Sequence, residues 1–258
     1  MQRRALLTTL GAGAAGLLAG CSAPTALIDD GEAVEDVDWL DGDELDADGL
    51  ASTHAEALST AGSFELFSTA DTDHEGDEEP SRWLAPQEYE ATFESERERQ
   101  YLRQEMTDVD ERDVFELYVE GPTAFVRELQ GDAVATDRRS IGDPDAFFAE
   151  EFETEATTGV RGVGGWNMRV ADRAAAFEDQ PAVRLAADEF DGDAGIPETV
   201  ETAEAAMIVT EDGVVRSLDQ RWDGTQGGQE ATVAVDIAFR EVGSKTVAEP
   251  EWVADLRE

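Results

Sequence analysis

Cysteine, lysine and histidine are almost missing from this chain, and each shortage removes a class of function. Cys21 is the only cysteine, so no intramolecular disulfide and no cysteine-based zinc cluster can form. Lys245 is the only lysine, and the arginines of the main body nowhere gather into a run. Without a basic stripe to displace counterions from phosphates, nucleic acid is not expected as a partner. His54 and His74 are the only imidazoles, and the GxSxG, HExxH, Walker and paired CxxC motifs are all absent. No catalytic residue, cofactor or metal site is therefore assigned, and the chain reads as a non-enzyme. A carboxylate pair of the glycosidase kind cannot be picked by sequence from 61 acidic residues.

What the sequence has in excess is negative charge. The formal charge is −42, with 61 Asp and Glu against 19 basic residues in 258. In dilute buffer such a surface repels itself, whereas at 1 M salt the screening length falls to about 3 Å and the fold survives. Abundant acids paired with arginine instead of lysine resemble the proteins of extremely halophilic archaea. The hydrophobic share of 41% is ordinary, and because the apolar residues are patterned the chain reads as globular, with room for one domain.

Residues 1–20 carry the most specific signal: two arginines, a run of leucines and small residues, then a small-residue cleavage context. The run is too short and too glycine-rich for a spanning helix. Arg3 and Arg4, followed by Ala5, Leu6 and Leu7, resemble the twin-arginine export signal. Leu18, Ala19, Gly20 and Cys21 resemble the lipobox of prokaryotic lipoproteins, in which small residues admit the modifying enzymes and the cysteine sulfur takes up the lipid. A buried core cysteine is the bland alternative, but it would not stand at the end of an apolar leader. The expectation is an exported lipoprotein at the outer face of the membrane, anchored through lipid on Cys21. Gly11, Gly13 and Gly16 mimic a dinucleotide-binding loop, yet they lie inside the leader and outside any βαβ unit.

Residues 21–48 are acidic, poor in apolar anchors and aperiodic, and read as a self-repelling tether, although Val37, Trp39 and Leu40 could dock back onto the domain. Their acids invite comparison with a calcium loop, but counting from Glu44 puts Ala55 at the twelfth position, where glutamate is needed. The domain is expected over residues 49–258. Leu50, His54, Ala57, Leu58 and Ala61 fall at helical spacing, with Gly62 as the cap, and His54 reads as a surface or satisfied helix residue. Residues 71–80 read as an acidic surface loop, with a metal role for Asp71, Asp73 and His74 the minority reading.

Strand-like alternation follows. Phe64 and Leu66 open it, Tyr89, Ala91 and Phe93 alternate with acids, and Phe115, Leu117 and Val119 precede a turn at residues 120–123. Asp143 and Pro144 predict a helix start, with Phe147, Phe148 and Phe152 facing inward. Residues 159–165 read as a flexible connection. Strands are expected at residues 166–177 and 182–187, a tight hairpin about Asp212 and Gly213, and a last long strand carrying Val233, Val235, Ile237 and Phe239.

A lipobox, an acidic spacer, an early helix, an antiparallel meander with a helical insertion and a late Asp-Gly hairpin resemble an uncharacterised family of haloarchaeal, twin-arginine-exported lipoproteins. The order is more distantly similar to the LolA and LppX group of lipoprotein carriers and lipid-binding lipoproteins. That resemblance implies an α+β fold: a curved, mostly antiparallel sheet forming a half-barrel, packed against a few helices, with acyl chains between. It implies an inward ligand-facing set of Phe93, Leu117, Phe125, Val209, Leu218, Val235 and Ile237. Two readings stay open: a lipid or other hydrophobic ligand in the sheet, or a closed core that serves as an anchored interaction module for another exported protein.

Overall fold

The computed structural model describes residues 27–28, 32–35, 37–74, 86–107, 112–192, 197–226 and 228–257. In chain order the elements are β1 (Leu27–Ile28), β2 (Leu40–Asp41), β3 (Glu44–Leu45), α1 (Ala47–Ala61), β4 (Ser63–His74), β5 (Gln87–Glu94), β6 (Arg99–Thr107), β7 (Arg112–Glu120), β8 (Thr123–Gln130) and β9 (Ala133–Ser140). They continue with α2 (Pro144–Thr157), β10 (Arg169–Phe177), β11 (Gln180–Ala187), β12 (Thr199–Thr210), β13 (Val215–Gln226), β14 (Gln229–Arg240) and α3 (Glu251–Ala254). All ladders are antiparallel, and the strands join in the order β2-β3-β10-β11-β12-β13-β14-β4-β5-β6-β7-β8-β9, with β1 beside β10. The expected α+β half-barrel is what forms: one curved, unclosed antiparallel sheet with three helices.

Local chemistry sets the helices. Asp46 caps α1 by accepting from the Gly49 N–H at 3.0 Å, and Gly62, at φ 76°, closes it by donating to the Leu58 carbonyl. Asp46 is thus a cap in the very stretch that mimicked a calcium loop. Asp143 caps α2 from Ala146 at 3.2 Å, with Pro144 at the first helical position.

The main core lies on the concave side. Leu50, Ala51, His54 and Leu58 of α1 press onto Phe64, Leu66, Leu218, Ile237 and Phe239 of the central strands. Residues 159–165 are not a flexible connection. They form a 3-10 turn, Val160–Gly165, whose Val160 and Val163 are fully buried in the same core. Gly159 permits this, since at φ 74° it brings the backbone against the end of Ile237.

The domain also begins earlier than residue 49. Val34 and Trp39 are each 1% exposed, the Val34 N–H donates to the Arg173 carbonyl at 2.9 Å, and β2 with β3 forms a small hairpin beside β10. Hydrophobic anchoring by two residues outweighs the local acidity that makes this stretch look like a tether. Residues 71–74 are likewise not a loop but the end of β4, and residues 75–80 of that acidic segment lie outside the described residues.

A second cluster covers the convex side of β6–β8. Val247, Trp252, Val253 and Leu256 from the C-terminal segment pack onto Tyr101, Tyr118 and Phe125. Glu94 fixes the segment by accepting from the Val247 N–H at 3.1 Å, and Arg257 pairs with Glu249 at 2.7 Å and with Glu120.

Candidate functional site on the concave face

Side chains on a strand alternate between faces, so the register tells which residues look into the trough. Across β13, β14, β4, β5 and β6 the concave positions hold no charged residue: Leu218, Gln220 and Trp222 are followed along the rows by Val235, Ile237, Ser68, Ala70, Tyr89, Gln104 and Met106. The convex positions of the same strands carry Asp219, Asp236, Asp71, Glu88, Glu90, Arg103 and Glu105.

Part of this neutral surface is closed by α1 and the 3-10 turn. The rest is only half-buried: Gln220, Val235, Ser68, Ala70, Tyr89, Gln104 and Met106 keep access to solvent, and on β7 the same row continues through Leu117 and Phe115 to the charged Asp113 opposite Met106. In a chain that is 31% charged, accessible surface free of charge on five adjacent strands is the feature that marks a site.

The insertion helix α2 roofs the trough through aromatic rings. Phe148 and Phe152 meet Phe93 edge-on at 5.7 and 5.6 Å, and Phe93 stacks on Phe64 at 5.1 Å. A polar clasp joins the roof to the floor, the Tyr89 hydroxyl donating to Glu155 at 2.5 Å. Burial pushes the Glu155 carboxyl up. Burial, and then the neighbouring Glu155 charge, pushes the Tyr89 phenol up as well, so Tyr89 remains the donor. Between α1 and α2 opens a cleft of about 510 Å³, with Ala55, Phe148 and Phe152 on its walls and Glu98, Asp145 and Glu153 among its lining. A second cleft of about 450 Å³ lies at the far end of β6–β9 and includes Gln104, Met106 and Phe115 together with the carboxylates Asp113 and Glu128.

Two buried polar side chains stand out. His54 is fully buried, its Nδ1 accepting from the Val215 N–H at 3.1 Å while its ring meets Phe239 edge-on at 4.4 Å. Burial first, then Arg216, lowers its pKa to about 3, so it stays neutral; it is a core residue, not a surface one, and its buried Nε2 has no hydrogen-bond partner among the described residues. Gln100 is 0% exposed on the concave face of β6, between Phe93 and Val119, and neither its amide nitrogen nor its oxygen has a partner. Leaving a buried polar group unpaired costs about 1–3 kcal/mol, so the residue invites explanation.

Of the residues implied by the resemblance, Phe93, Val209, Leu218 and Ile237 sit in the concave core, while Val235 and Leu117 occupy the half-open concave surface. Phe125 does not belong with them. It pairs with Tyr118 on the opposite face and packs under the C-terminal segment, because β8 is buried on both sides and alternation alone cannot choose its inner face. Gln100, Gln104, Tyr89 and Glu155 carry no motif; the one trace of the first two is a pair of glutamines four residues apart, and so on one face, in β6. The leader, with Arg3, Arg4, Leu18, Ala19, Gly20 and Cys21, lies outside the described residues. Among the described residues no group of three or more His, Cys, Asp or Glu side chains could hold a metal ion, and no helix is long and apolar enough to cross a membrane.

No curated protein matches this chain. Among solved structures it is similar to a LolA superfamily protein from Nitrosomonas europaea, with 10% identity, 80% of this chain and 96% of that one covered, and a TM-score of 0.24. It is also similar to a DUF1329 family protein from Desulfovibrio piger, with 10% identity, coverage of 75% and 91%, and a TM-score of 0.23. The family profile of DUF7537, a family of unknown function, matches residues 14–256, and the chain belongs to that family.

Proposed function

We propose that this chain is a non-enzymatic binding protein, exported and held at the outer face of the membrane of a salt-adapted cell, whose curved sheet takes up a lipid or other hydrophobic ligand. The observation that carries the binding reading is the uncharged, half-open concave surface from Gln220 on β13 to Met106 on β6, set in a chain of net charge −42. Apolar ligands gain roughly 25 cal/mol for each Å² of apolar surface withdrawn from water, and molar salt strengthens that gain when the salt is excluded from protein surfaces. The roof formed by α2 rests on the Phe148 and Phe152 rings and the Tyr89–Glu155 clasp, an arrangement that can part without breaking a ladder.

Solvent extraction and mass spectrometry of the full chain, purified in molar salt, tests the reading. A lipid recovered near one per chain is expected, and Val235→Glu, which sets a charge on the trough floor, should reduce recovery about tenfold. Absence of any extractable lipid, together with no uptake of a fluorescent apolar probe, would refute ligand binding.

The anchor rests on the leader and on Cys21. Cys21→Ser removes the sulfur that would carry the lipid, and cell fractionation should then move the protein almost wholly from membranes to the soluble fraction. Retention on membranes at the original level would remove the anchor from this reading.

A further inference from the structure

We propose that the ligand has an uncharged head bearing a carbonyl or hydroxyl oxygen, and that Gln100 is the group that binds it. This rests on the reading of the trough as a hydrophobic-ligand site and adds the chemistry of the head.

The buried amide is the first support. Gln100 has a donor and an acceptor, both without partners, on the inner face of the sheet. Leucine or methionine would fill the same place without that penalty, so glutamine is informative about what shares the space. Its position is the second. Gln100 neighbours Phe93, whose ring is covered by Phe148 and Phe152, and those two rings form the wall of the cleft between α1 and α2. Glu98, two residues earlier in the chain, lines that cleft. The amide does not itself line the cleft; the rings of Phe93, Phe148 and Phe152 stand between, and a head reaches Gln100 when they part. From Gln100 the concave face of β6 continues through Leu102 to Gln104, roughly 13 Å of uncharged floor for an extended tail before Met106 and the Asp113 opposite it.

The charge inventory is the third support. An anionic head would need a cation, and the cleft lining includes no lysine or arginine but three carboxylates, Glu98, Asp145 and Glu153. The nearby Arg161 is already paired with Glu153 at 3.0 Å. A carboxylate or phosphate head would have to shed its water with no cation to replace it, a cost that salt does not remove, whereas a neutral oxygen loses little and finds the amide.

Displacement of a fluorescent apolar dye from the full chain, in molar salt at pH 8, tests this with four probes of matched chain length: 1-hexadecanol, methyl palmitate, palmitate and hexadecane. The alcohol and the ester are expected to bind about tenfold more tightly than palmitate and hexadecane. Gln100→Leu should bring the alcohol and ester down to the level of hexadecane while leaving hexadecane itself unchanged. Gln100→Met, with near-ultraviolet circular dichroism as the check on packing, serves if the leucine variant fails to fold. Palmitate binding as tightly as its methyl ester overturns the neutral-head proposal. Unchanged alcohol and ester binding in a folded Gln100 variant shows that Gln100 does not hold the head. Failure of every probe, hexadecane included, sinks the ligand reading itself along with this one.

Discussion

Trp39→Ala is expected to lower the unfolding free energy by about 3–5 kcal/mol, the range for emptying a fully packed aromatic site. The indole is 1% exposed and joins the main core, reaching the tight β12–β13 turn near Gly213. Its carbonyl accepts from the Asp46 N–H at 3.0 Å, which fixes the cap residue of α1. Truncation thus removes packing area and loosens the start of the helix that fills the trough. Urea melts in molar salt measure the effect. A loss below about 1 kcal/mol would mean that residues 34–46 are merely draped on the domain.

The second large effect concerns solvent. Transfer from molar salt to about 10 mM is expected to abolish most of the β-sheet signal in far-ultraviolet circular dichroism, because the screening length rises to about 30 Å. Domain stability is only about 5–15 kcal/mol. Repulsion is built into the convex face, where Asp219 stands opposite Asp236 and Glu88 opposite Glu105. Crowding on that face desolvates the Asp219 carboxyl, and Asp236 repels its charge; together they push its pKa up to about 6. The unfolded value is about 3.9, so between the two the folded chain holds this proton more tightly than the unfolded one. Its contribution is complete below about pH 4 and fades as pH rises through about 6, so acidifying a low-salt sample to about pH 5 should recover part of the signal. A spectrum indifferent to salt would overturn the expectation.

Much of the scaffold can be read from the residues. Asp143-Pro144 and Gly62 mark helix ends, Asp212-Gly213 marks the hairpin, and the alternation of Tyr89, Ala91 and Phe93 gives the right inner face. The trough is harder to read. Strand β6 is hidden because glutamines occupy inward positions where apolar residues would announce a strand, and those glutamines are what gives the site its polar detail. Phe125 is misassigned because Ala124, Phe125 and Val126 are buried in succession, a pattern produced by the distant C-terminal segment covering the outer face. Trp39 is lost among acids, since local composition outweighs a single anchor until tertiary contacts are known. Pairing over long separations, which no local window contains, accounts for all three.

The ladder between β4 and β14 joins residues near the two ends of the domain, Glu65 opposite Arg240 and His74 opposite Ala231. While a ribosome is still delivering the middle of the chain, the first long strand has one flank without its neighbour, and the helix that follows the hairpin beside β10 has only part of its floor. Closure of such distant pairs carries a large entropic toll and slows folding towards the millisecond-to-second range. The sheet consequently stays in two parts until the last long strand has been made and has paired with the first.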